Sequence, residues 1–196
     1  MDLILLAISV GGIIGIVIAV IVILIIVWMV SLYNSLKKIE VKCDESLSGI
    51  DVALEKRFDE LTKLLDVTKG YAKHEAETLE NVIKWRAGAK VSDSTIEEKN
   101  ALLGQLDQVA KGLNVVVEKY PELKADTLFK NLQASISDTE EHLQAARRLY
   151  NSNVTILNQK IVVFPNSIVA GMFHIVKREF FKAEEAKRQD PKMDFS

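Results

Sequence analysis

Three histidines, one cysteine and several opposite charges at helical spacing are the parts of this chain whose types could do chemistry. His74, His142 and His174 fall on different stretches, and His74-Glu75 lacks the second histidine that a zinc-protease helix places four residues on. Cys43 is the single cysteine, so no internal disulfide can form. At helical spacing between Ile39 and Leu47 it reads as a small core hydrophobe. No glycine-rich phosphate loop and no G-x-S-x-G stands anywhere in the sequence. The expectation is a non-enzymatic chain with no catalytic residues, no metal and no cofactor. The charged set Asp51, Arg57, Glu140 and Arg147 then needs a structural account, which depends on the elements that carry it.

The first of those elements is set by the run from Leu3 to Val30, which has no charged residue and is built of Ile, Val, Leu, Ala and Gly with one Ser, one Trp and one Met. A bilayer core about 30 Å thick needs roughly 20 apolar residues at about 1.5 Å each, so residues 1–32 read as a transmembrane anchor. A signal peptide would have a basic start and an apolar core of roughly 7–15 residues, which this run exceeds. Lys37, Lys38 and Lys42 follow the run and no Lys or Arg precedes it. Positive charge stays on the cytoplasmic side, which predicts an outside N-terminus and a cytoplasmic remainder. Ala7, Gly11, Gly15 and Ala19 recur every four residues, a small-residue face that would let two such helices pack closely.

Beyond the anchor the chain reads as helices at 33–69, 73–89, 95–119 and 126–163. In the first, Leu36, Ile39, Cys43, Leu47, Ile50, Leu54, Phe58, Leu61 and Leu65 step by threes and fours. Leu36 to Leu47 and Leu47 to Phe58 are each eleven residues, which gives about 3.67 residues per turn, a nearly straight stripe. No proline separates this helix from the anchor, and Gly70-Tyr71 suits its end. Ser94 and Thr95, each three residues ahead of a glutamate, mark the start of the third helix, and Tyr120-Pro121 its end. Pro121 to Ala125 reads as a short turn and Asp126 as the cap of the fourth helix. The fold class is thus all-α: an N-terminal transmembrane helix continuing into an antiparallel up-down four-helix bundle of residues 33–164. Residues 165–182 gather Ile168, Met172, Phe173, Val176 and Phe180 on one side, an amphipathic helix that either lies in the membrane interface or folds over the end of the bundle. Residues 183–196 read as a flexible tail.

In an antiparallel pair of long helices, facing residues have numbers summing to roughly 196 if Val163 returns level with Tyr33. Glu140 then meets Arg57 and Arg147 meets Asp51. Tyr33 and Asn34 fall beside Tyr150, Asn151 and Asn158 as a membrane-proximal polar cluster. Buried opposite charges fix register more than they add stability, because desolvation offsets their attraction. A functional polar groove or a solvated surface are the competing readings.

Several short stretches also resemble one family when taken in order. They are Tyr33-Asn34, Ile50-Asp51 to Arg57-Phe58-Asp59, Gly70-Tyr71-Ala72 with His74-Glu75 and Thr78-Leu79, and Glu118, Tyr120-Pro121 and Leu123. Leu132-Gln133, Thr139-Glu140, Arg147, Tyr150-Asn151, Asn158, Phe164-Pro165, Ile168 and Ala170 continue the series. Together, across the whole chain, they resemble the LemA family of bacterial membrane-anchored helical proteins. The sequence departs from that pattern at Thr62-Lys63, where a proline is usual, and at Glu141, where an asparagine is. Losing the proline should straighten the first helix. The resemblance implies an anchored cytoplasmic bundle in the bacterial inner membrane and brings no enzymatic activity. A relative in magnetotactic bacteria is associated with forming the magnetosome membrane, which implies a role in membrane organisation.

The chain has 25 basic and 27 acidic residues, and beyond the anchor 25 stand against 26, which argues against nucleic acid as a partner. The expected function is a single-pass membrane scaffold that forms homo-oligomers and organises the bilayer it sits in. The alternative is a membrane-tethered adaptor or sensor whose bundle binds a protein or ligand.

Overall fold

With no proline between residues 10 and 69, nothing in the sequence interrupts the backbone ladder, and one helix, α1, runs unbroken over Val10–Lys69. This computed structural model describes residues 10–69 and 91–181. Ala7, Gly70-Tyr71, the expected second helix at 73–89 and the tail at 183–196 lie outside them. Among the described residues the structure is all-helical apart from connections, with no strand.

After a 3-10 turn at Val91–Asp93, α2 spans Ile96–Lys119, α3 Pro121–Ala125, α4 Thr127–Lys160 and α5 Asn166–Met172. Thr95 starts α2 through a full capping box: Glu98 N donates to Thr95 Oγ1 at 3.2 Å, and Thr95 N to Glu98 Oε2 at 2.7 Å. Pro121 opens α3, so the segment expected as a turn is helical. Proline at the first helical position has its φ already set and lacks only an N–H that would be unpaired there anyway. Asp126 Oδ1 accepts from Leu128 N at 2.7 Å and Phe129 N at 3.1 Å, capping α4.

The C-terminal part corrects two expectations. Helix α4 stops at Lys160, short of 163, and the expected amphipathic helix at 165–182 is helical only over Asn166–Met172. Residues 175–181 run without helix. The chain turns at His174, whose φ of 52° lies in the left-handed region.

The described chain divides into two compact units: Met1–Lys42 with Thr155–Arg178, and Cys43–Val154 with Glu179–Ser196. In the first, every large apolar side chain from Ile13 to Val30 except Met29 is exposed, while Leu36, Leu157, Ile161 and Val169 are buried. In the second, α1 buries Cys43, Ile50, Leu54, Phe58, Leu61 and Leu65, on the expected stripe. It also buries a second row, Ala53, Arg57, Glu60, Leu64 and Thr68, at steps of four, three, four and four. Helix α1 continues through Thr62-Lys63, where Thr62 Oγ1 donates to Phe58 O at 2.9 Å.

Replacing Thr95 with Ala removes the side-chain half of the capping box, the hydroxyl that accepts from Glu98 N. The expected loss is about 1 kcal/mol of stability, mostly retained in Thr95→Asp, read from thermal unfolding followed by circular dichroism.

Candidate functional site

The second buried row of α1 carries the polar core of the larger unit. Arg57, only 4% exposed, donates from Nη2 to Asp107 Oδ1 on α2 and brings Nη1 within 3.0 Å of Glu140 Oε2 on α4. One turn on, Glu60 accepts from Ser135 Oγ, and at 2.7 Å from Thr139 Oγ1, both on α4. Lys56 lies 3.9 Å from Glu60 and 3.7 Å from Asp138 at the exposed edge. One guanidinium thus ties three helices together.

Arg57 and Glu140 therefore meet as their numbering predicts. Asp51 and Arg147 do not. Asp51 Oδ1 instead lies 2.5 Å from Nζ of Lys99, a buried lysine in the first turns of α2. The Arg147 guanidinium sits 5.8 Å from the centre of the Phe181 ring, a cation–π contact. The numbering argument paired only the two long helices, so a partner from α2 fell outside it. In the Arg57–Glu140 and Lys99–Asp51 contacts the charges touch without hydrogen-bond angles, leaving Arg57 Nε and Nη1, Glu140 Oε2 and Asp51 Oδ1 without a hydrogen-bond partner. Beside Arg57 and Glu140 opens a groove of about 310 Å³ lined by Leu61, Leu64, Ala110, Asn114, Gln133, Ile136 and Ser137.

This network ties α1 to α2 and α4 through side-chain contacts. A guanidinium does not give up its proton in proteins, so Arg57 serves as a fixed positive charge and hydrogen-bond donor. Among the described residues no three His, Cys, Asp or Glu side chains converge as a metal site would need. Asp107, Glu60 and Lys99 were missed by reading apolar stripes. The four-three-four-four spacing of Ala53, Arg57, Glu60, Leu64 and Thr68, parallel to the stripe, was the signal available.

The polar cluster expected at Tyr33, Asn34, Tyr150, Asn151 and Asn158 serves separate contacts. Asn158 holds both backbone groups of Arg178, donating to its carbonyl and accepting from its N–H, each at 2.9 Å. Asn151 does the same for Phe181, again at 2.9 Å each way. Tyr150 is buried, donates to the Glu179 carbonyl at 3.1 Å, and meets the Phe181 ring edge-on. Tyr33 packs on Phe173 with ring centres 4.4 Å apart, and Asn34 is exposed. These asparagines explain why residues 175–181 are not helical: the backbone groups a helix would use are taken by side chains.

The five residues assigned to an interfacial face, Ile168, Met172, Phe173, Val176 and Phe180, are all exposed, whereas Val169, Ile175 and Phe181 are buried. On the small-residue face of α1, a side chain at Gly15 would meet nothing within 4 Å, and Ala19 is exposed. Just past the apolar stretch Lys37 donates to Glu40 at 2.6 Å, a bond that with the carboxylate's charge raises the lysine's pKa above its ordinary value.

Residues 46–195 match the sequence model of the LemA family. The chain is 31% identical over 159 residues to Protein LemA of Metamycoplasma hominis, an alignment covering 80% of this chain and 72% of that relative. The family match begins at Ser46, so Tyr33-Asn34 and the apolar run precede it.

Two substitution experiments follow from these contacts. Asp51→Arg strands a like charge beside buried Lys99 and should destabilise the fold by about 3–5 kcal/mol. Adding Lys99→Asp should recover much of that loss and adding Arg147→Asp should not, as measured by unfolding of both double variants. Asn151→Leu frees the backbone of Phe181, whose amide should then exchange hydrogen about tenfold faster, with mid-α4 amides unchanged.

Proposed function

The chain belongs to the LemA family, and from that premise we propose that it is a non-enzymatic, single-pass membrane scaffold of the bacterial inner membrane. In this reading the N-terminus is outside, the helices after the anchor form a cytoplasmic antiparallel up-down bundle, and the chain self-associates to organise the bilayer. The observation that carries it is the exposed Ile13–Val30 stretch of α1, continuous with a helix whose other half is buried. That stretch is long and apolar enough to cross a bilayer.

Antiparallel packing is supported by partner numbers that fall on α4 as they rise on α1: Ser46 with Asn153, Arg57 with Glu140, Glu60 with Ser135. Orientation is supported by Lys37, Lys38 and Lys42 just past the apolar stretch. Self-association is supported by the open space at Gly15 and the exposure of Ala19. Exposed Val162, Val163 and Phe164, the last 74% exposed, join Ile168 and Met172 as apolar surface suited to a membrane interface.

One observation favours the adaptor reading. The groove beside Arg57 and Glu140 is lined by Leu61, Leu64 and Ile136 together with the polar side chains of Asn114, Gln133 and Ser137, a mixed lining that suits an amide or peptide edge. The bundle freed of its anchor would then still capture a partner.

In a Cys43→Ser background, Ala19→Cys should give disulfide-linked dimers on oxidation of native membranes, and Gly15→Leu should suppress them. A strictly monomeric chain would refute self-association. Protease added to intact cells should leave the helical part whole, and digestion would reverse the topology.

A further inference from the structure

The nearly balanced charge of the chain hides a strong segregation. The unit of Met1–Lys42 with Thr155–Arg178 holds six basic and two acidic residues, and the rest of the chain 19 basic and 25 acidic. Within this basic unit two grooves adjoin where α1 changes from apolar to polar. The first, about 510 Å³, is lined by Ile26, Met29, Val30, Tyr33, Asn34 and Phe173. On one side the Phe173 ring packs on Tyr33, the two planes tilted by 45°. The second, about 540 Å³, shares Val30 and Asn34 with the first and continues over Ser31, Ser35, Lys38 and Lys42. Lys160 donates to Ser35 Oγ at 3.3 Å, bringing a third ammonium to its side.

Along the helix the lining thus runs from Val27 and Val30, through hydroxyl and amide donors at Ser31, Asn34 and Ser35, to ammonium groups at Lys38 and Lys42. That order spans about 22 Å at 1.5 Å per residue. It matches the sequence of acyl chain, glycerol ester and phosphate met on leaving a bilayer. Glu40, the described carboxylate of this unit, lies two positions from both lysines and therefore on the far side of the helix. There it engages Lys37 at 2.6 Å and Arg178 at 3.7 Å. No carboxylate lines either groove, so nothing there would hold the amine of a zwitterionic headgroup.

We propose that the two grooves together seat one anionic phospholipid of the leaflet from which α1 emerges, its acyl chain along Ile26, Met29 and Phe173 and its phosphate on Lys38 and Lys42. The assignment rests on the membrane-spanning reading of α1. Neighbouring lysines at an anionic surface each favour it by about fivefold in affinity.

Successive residues of a helix turn by about 100°, so Trp28 lies on the other side of α1 from Ile26, Met29 and Tyr33, whereas exposed Val22 sits one turn before Ile26 on the face of the first groove. In full-length Trp28→Phe/Trp85→Phe/Val22→Trp protein reconstituted into phosphatidylcholine vesicles, the fluorescence of the single tryptophan at position 22 is quenched by a minor fraction of lipid brominated on the acyl chain. Brominated phosphatidylglycerol should outcompete brominated phosphatidylcholine there by about fivefold per lysine. The preference should fall to near unity in Lys38→Gln/Lys42→Gln, two exposed positions. Equal quenching by the two lipids in the parent protein, or an undiminished preference in the double variant, overturns the assignment. Alkaline carbonate extraction of the same vesicles separates the two levels. A chain that washes off brings down the spanning reading and this site together, whereas a retained chain with equal quenching loses only the site.

Discussion

An α-helix satisfies its own backbone hydrogen bonds everywhere except at its ends, and α1 extends that condition over sixty residues whose side chains face two different surroundings. From Ile13 to Val30 the helix shows apolar side chains on all sides, and from Leu36 onward it buries a stripe. Leaving the first part in water would forgo the roughly 1.5–3 kcal/mol that burial offers each large apolar side chain. In the membrane-spanning reading proposed above, a bilayer supplies that gain and the helix satisfies its own backbone groups there. The absence of proline from α1 keeps the backbone ladder whole. In the membrane-spanning reading, a break between the two halves would put unpaired carbonyls and N–H groups at the membrane surface.

Much of the helical plan was legible because it depends on local chemistry. The caps at Thr95 and Asp126 act within four residues, and each stands where the sequence places it. The stripe from Leu36 to Leu65 was readable because apolar residues at steps of three and four have few other uses. Less legible was anything that depends on a third helix. Asp51 could be matched to Arg147 by counting along two helices, but Lys99 reaches it from α2, and no local pattern announces a buried lysine. Residues 173–181 misled for a different reason. Their apolar spacing fits a helix, and only the asparagines at 151 and 158, about two helical turns apart, decide otherwise. Seven helical residues rise about 10.5 Å and three extended residues span about 10 Å, so this spacing on α4 suits a clamp on residues 178 and 181. Net charge misled as well, since a chain near balance contains a basic unit and an acidic remainder.

The buried charges of the larger unit are better understood as a specification than as a source of stability. Replacing a buried ion pair by well-packed apolar side chains is often neutral or favourable, so Arg57 with Asp107 and Glu140 adds little to a core already rich in leucine. Its effect lies in what it forbids. If α4 slid by one turn along α1, Glu60 would lose Ser135 and Thr139 while Arg57 would lose Glu140. An unpaired buried charge costs about 3–5 kcal/mol, comparable to the whole stability of a small domain. Leucine stripes alone would not impose that penalty, because a slide of three or four residues returns leucine to leucine. The polar row at Arg57 and Glu60 removes that degeneracy, and in a protein whose long helices repeat one apolar pattern, such a device decides which of several similar packings is the native one.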